Sequence, residues 1–144
     1  MPNFNLMSQF LKDFSFESPN VPELFFKQEN GAAKVDMNID LQVKGADNKI
    51  FMVDIIVKLH SKLDEGDKSI FMIDCTYSGL VQLENTDVEA DTQKTLLIDV
   101  PTLLFPNIRA LVVRATAESG FPPFVMQPVD FKAMYEAKQA EKSV

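Results

Sequence analysis

The chain has 144 residues, 46% of them hydrophobic, which is enough for one domain with a substantial core. A formal net charge of −7 argues against nucleic acid and against an anionic membrane surface, and permits a basic partner. The single cysteine, Cys75, excludes an internal disulfide framework, no basic region precedes an apolar run at the N-terminus, and no apolar run approaches the ~20 residues of a membrane helix, so a cytosolic protein without a signal peptide is expected.

The N-terminal segment alternates. Phe4, Leu6, Phe10, Phe14 and Phe16 share one parity, while Asn5, Gln9, Asp13, Ser15 and Glu17 share the other. Lys12 interrupts the apolar set, and Met7 and Leu11 interrupt the polar one, so a strand with irregularities is expected. Ser18-Pro-Asn-Val-Pro22 forbids a regular element, and the link over 18–33 carries Leu24, Phe25 and Phe26. The clearest strand comes next: Val35, Met37, Ile39, Leu41 and Val43 alternate with polar neighbours. After a turn at 45–48, Phe51, Val53, Ile55, Val57 and Leu59 share one face. After a second turn at 64–67, Phe71, Ile73, Cys75 and Tyr77 point inward, and Met72, Asp74 and Thr76 point outward. Three strands joined by short turns read as an antiparallel meander.

Residues 82–100 fit no single pattern. From Pro106 the period becomes helical, with Ile108, Leu111, Val112 and Ala115 on one stripe, Pro106 in the first turn and Gly120 at the end. A second helix starts near Asp130 as N-cap and frays after Ala137. Between the helices, Phe121-Pro-Pro-Phe-Val-Met-Gln-Pro128 is an unusually apolar loop. Strands first and helices last predict an α+β fold: a four-stranded antiparallel sheet with two C-terminal helices on one face, in a single domain over 1–144.

The inventory for catalysis is poor. His60 is the only histidine and falls on the outer face of a strand; Cys75 faces inward as a small hydrophobe. One His and one Cys make no common zinc site, and no Gly-rich phosphate loop occurs, so neither metal nor cofactor is expected. Asp36 and Asp40 pair only on a solvated strand face. Two surfaces remain. Asp13, Glu17, Asp36, Asp40, Asp54 and Asp74 form an acidic outer face, with Met72 among them as an apolar anchor, suited to a basic partner. Leu24, Phe25, Phe26, Phe121, Phe124, Val125 and Met126 form an apolar loop surface, read as a groove for exposed apolar segments.

Lys12-Asp-Phe-Ser-Phe-Glu-Ser-Pro-Asn20, Leu104-Phe-Pro106 with Arg109, Gly120-Phe-Pro122 and Pro128-Val-Asp-Phe131 together resemble the SecB protein-export chaperone family, over about Phe10 to Tyr135. The resemblance implies a homotetramer built as a dimer of dimers, with the long helix (Ile108, Leu111, Val112, Ala115) at the interface. It implies a cytosolic, ATP-independent holdase that keeps preproteins unfolded and delivers them to the SecA translocation ATPase. SecA docking carries over to Asp13, Glu17, Met72 and Asp74, where the family usually has Leu and Glu at the last two. Ile73, Cys75 and Tyr77 match positions linked to assembly and client binding. Alternatives are a SecB-like chaperone dedicated to one client such as an antitoxin, and a small-ligand domain with a pocket between sheet and helices.

Overall fold

The computed structural model describes residues 4–26, 33–45, 47–64 and 68–142. Four long strands, β1 (Phe4–Glu17), β2 (Ala33–Gly45), β3 (Ile50–Leu63) and β4 (Ser69–Leu83), form one antiparallel sheet in the order β1-β4-β3-β2. The meander is β2-β3-β4, and β1 pairs along the outer side of β4. Period-two alternation decides which face is buried. Val53, Ile55, Val57 and Leu59 of β3 and Phe71, Ile73, Cys75, Tyr77 and Val81 of β4 are all buried on the same side. The edge strands bury less, and Met37 in β2 is exposed.

The interruptions in the β1 pattern are real features of the strand. Its register with β4 slips between Leu6 and Ser8 and again between Leu11 and Asp13. Each slip is a β-bulge, one extra residue that reverses the facing of the residues after it. Phe4, Leu6, Phe14 and Phe16 pack against the core as expected; Phe10, expected with them, lies between the two slips and is exposed.

Ser18 and Asn20 tie the chain leaving β1 to the start of β4: Ser18 Oγ donates to the Ile70 carbonyl (2.7 Å) and Asn20 Nδ2 to that of Ser69 (2.9 Å). A single helical turn, α1 (Glu23–Phe26), comes next. The expected turns fall partly at residues 46 and 65–67, outside the described residues.

The long helix starts earlier than its sequence period suggests. α2 (Glu89–Lys94), a π turn (Thr95–Asp99) and α3 (Val100–Glu118) run on as one helical segment. Pro101 has no N–H to give and its ring crowds the carbonyl four residues back. The turn ahead of it widens, and Val100 N–H reaches the Thr95 carbonyl five residues back. Pro106 lies inside α3 rather than at its start. Burial of Leu104, Phe105, Ile108 and Val112 against the sheet offsets the ~3 kcal/mol such a proline costs. Contrary to the expectation that no apolar run approaches membrane length, the segment Glu89–Glu118 is long and apolar enough to cross a membrane; its most apolar stripe is packed on β3 and β4.

Gly120 ends α3 at φ 87°, a left-handed position that suits glycine. α4 (Phe131–Lys142) is capped by Asp130, whose Oδ1 accepts from Ala133 N–H at 3.0 Å. It continues to Lys142, past the fraying expected after Ala137.

Candidate functional site

The strand register aligns rows across the outer face. Glu17 pairs with Met72, which pairs with His60, which pairs with Asp36. Ser15, Asp74, Lys58 and Asn38 form the next row, and Asp13, Thr76, Ile56 and Asp40 the one after. Asp13, Glu17, Met72 and Asp74 therefore occupy one end of one face, on the neighbouring strands β1 and β4, with both β1 carboxylates and Asp74 exposed. His60 lies in the same face, half-buried, with Nε2 2.7 Å from Ser69 Oγ. Asp36 and Asp40 are exposed, and Asp36 stands 4.0 Å from the Lys62 ammonium. Asp54 departs from the expected set. It lies on the outer side but is buried, bonded to Ser78 Oγ and to the Lys12 ammonium.

The apolar loops divide. Phe26 is 80% exposed, Val125 61% and Phe25 51%. Phe121 and Phe124 are half-buried around the buried Phe71, with ring centroids 6.1 and 6.3 Å from it, and Phe16 stacks on Phe71 at 5.9 Å. Phe25 packs on Phe121 at 5.4 Å. Leu24 is half-buried. Met126 is 1% exposed, a core residue rather than a groove residue, because the loop folds back under the sheet side. The fold-back is fastened at Thr116, whose Oγ1 donates to the Val112 carbonyl (2.9 Å) and accepts from Phe124 N–H (2.9 Å).

Ile73, Cys75 and Tyr77 face inward, as expected, and are buried within their own chain. Burial, with a smaller contribution from the Asp13 carboxylate, pushes the Cys75 thiol up to about 11, so it stays protonated and unreactive at neutral pH. Ile108 and Val112 are fully buried against the sheet, and Leu111 and Ala115 half-buried. The residues of α3 on the opposite side are Leu103, Pro106, Ala110, Val113 and Ala117, an uncharged stripe at spacings of three and four. The sequence carried this second stripe, but the stronger Ile108–Val112 period masked it.

A cavity of about 360 Å³ opens between β2, the α2–π segment and α4, lined by Leu41, Val43, Leu96, Leu97, Phe131 and Met134, with Lys138 and Lys142 among its rim residues. The Phe131–Met134–Tyr135 stripe was legible as apolar; that it meets the inner side of β2 was not. Among the described residues no group of three or more His, Cys, Asp or Glu is arranged to hold a metal ion.

The family model for the preprotein translocase subunit SecB matches residues 1–142. The chain belongs to the SecB family. It is 36% identical over 138 residues to the protein-export protein SecB of Caulobacter vibrioides, covering 94% of this chain and 81% of that one. It is 33% identical over 142 residues to that of Maricaulis maris, covering 99% and 80%. Among solved structures, the Mycobacterium tuberculosis SecB-like chaperone, determined with a ChAD peptide from the HigA1 antitoxin, superposes with a TM-score of 0.73 at 15% identity, covering 88% of this chain and 91% of that one. Membership in the SecB family makes this chain a protein-export chaperone and not an enzyme.

Proposed function

We propose that this SecB-family protein is an ATP-independent cytosolic holdase that works as a homotetramer, a dimer of dimers, and hands unfolded preproteins to the SecA translocation ATPase. The observation that carries this reading is the separation of two unlike surfaces. Glu17 pairs with Met72 on the outer sheet face, with Asp74 and Asp13 one and two rows further along, and the apolar groups Phe25, Phe26, Val125 and the β2–α4 cavity lie away from it. Carboxylates beside an apolar group suit a basic docking partner. Client segments would fill apolar subsites, each contributing ~1.5–3 kcal/mol for a well-buried side chain. The uncharged outer stripe of α3 suits helix-to-helix assembly.

Charge reversal at Asp13 and Glu17 separates the surfaces. SecA affinity should fall, most at low ionic strength, while suppression of client aggregation without nucleotide stays at the wild-type level. Retained SecA affinity in the reversed variant would sink the docking assignment.

The fold neighbour bound to an antitoxin peptide favours a second reading, a chaperone dedicated to one client of that kind. Affinity capture from a lysate distinguishes them: many unrelated preproteins support the export holdase, one dominant client the dedicated form.

A further inference from the structure

Asp54 is the one charged residue buried among the described residues, and it lies on the outer side of the sheet. A buried carboxylate without partners is costly. Both of its oxygens are used: Oδ1 accepts from Ser78 Oγ, and Oδ2 lies 3.4 Å from the Lys12 ammonium, which reaches it across β4. Lys12 is the extra residue at the second slip of β1. In an unbroken strand Lys12 and Phe10 would share the inward parity of Phe14 and Phe16, and an ammonium would sit on the core side. The paired bulges exchange the facing of this stretch. Leu11 pairs with Tyr77 on the inner side and Phe10 with Ser78 on the outer side. Phe10 is left 37% exposed, in the row beside Asp13. The ion pair commits the Lys12 ammonium to Asp54.

We propose that Phe10 is an apolar anchor of the outer docking face, held there by Asp54 acting through Lys12. The proposal rests on the docking reading above and names the occupant by its chemistry: a basic segment that seats an apolar side chain on Phe10 while its cations meet Asp13, Glu17 and Asp74. Charge complementarity selects that occupant, since the exposed carboxylates of Asp13, Asp74 and Glu17 follow one another along the face from the row beside the ring, and the chain as a whole carries −7.

The test is a salt series of SecA titrations on the full chain. Phe10→Ala should weaken binding about fivefold or more, with the slope against salt unchanged because no charge is removed. Phe10→Leu should restore most of the affinity. Asp13→Asn with Glu17→Gln should instead flatten the slope. Lys12→Met reads the positioning role, because on charge alone removing a cation from an acidic face strengthens a basic partner; a loss of affinity supports the proposal, and a gain overturns the part assigned to Asp54 and Lys12. Unchanged affinity in Phe10→Ala beside a weakened Asp13→Asn/Glu17→Gln variant overturns the anchor and leaves docking intact. Insensitivity of both variants overturns the docking reading and the anchor with it. A drop in oligomer mass for Phe10→Ala by native mass spectrometry would mean that a second copy covers the ring, and overturns the proposal as well.

Discussion

A single missing methyl group sets how closely α3 approaches the sheet. Gly79 is buried in β4, and a Cβ there would lie 2.8 Å from Leu104 Cδ1 and 3.3 Å from Cδ2. Leu104 is itself fully buried, so it has little room to turn aside. Gly79→Ala should therefore destabilise by about 1–3 kcal/mol, seen as a lower urea midpoint, and Leu104→Val should recover part of the loss when combined with it. The glycine is visible in the sequence, but its reason is not, because Leu104 is 25 positions away and meets it only through packing. Asp54 has the same character. Its parity marks it as outward, which is correct, yet its burial depends on Ser78 and Lys12 from two other points of the chain. That Asp13, Glu17, Met72 and Asp74 share one face was legible because strand parity alone decides it.

At the scale of elements, each strand was readable because its period is local, and even the faults in the β1 alternation mark its two bulges. The long helix was less readable. Two prolines lie within it, and the usual reading of proline as a start signal displaced its beginning from Glu89 to Pro106. The apolar character of the connection to α4 is visible in the sequence, but Met126 goes to the core because Thr116 pulls the loop back. Thr116→Val keeps the shape and removes both bonds, leaving the Phe124 N–H without its acceptor. The cost should be about 1–3 kcal/mol, with faster amide exchange at Phe124, and Thr116→Ser should retain most of the protection. Wild-type exchange in the valine variant would rule out this fastening.

For the whole molecule, α3 presents two stripes, one buried on the sheet and one turned away from it. The Leu104–Ile108–Val112 stripe is spent on the chain's own sheet, so substitutions there test stability. The Leu103–Pro106–Ala110–Ala117 stripe is exposed and apolar, so substitutions there test oligomeric state. Ala110→Glu should leave the circular dichroism spectrum intact and reduce the native mass, because a charge at the centre of a helix-to-helix contact is costly to desolvate. An unchanged mass would exclude this stripe from the interface. Assembly was read from resemblance, since no pattern within one chain reports how copies meet.

The contact between Phe25 and Phe121 has a mechanical consequence. Phe25 comes from the crossover after β1 and lies close over Gly120, while Phe121 opens the connection after α3. Nearly a hundred residues apart in the chain, the two loops meet in one aromatic hinge pin that also bears on Phe71. A force that lifts one loop must either break this ring contact or carry the other loop with it.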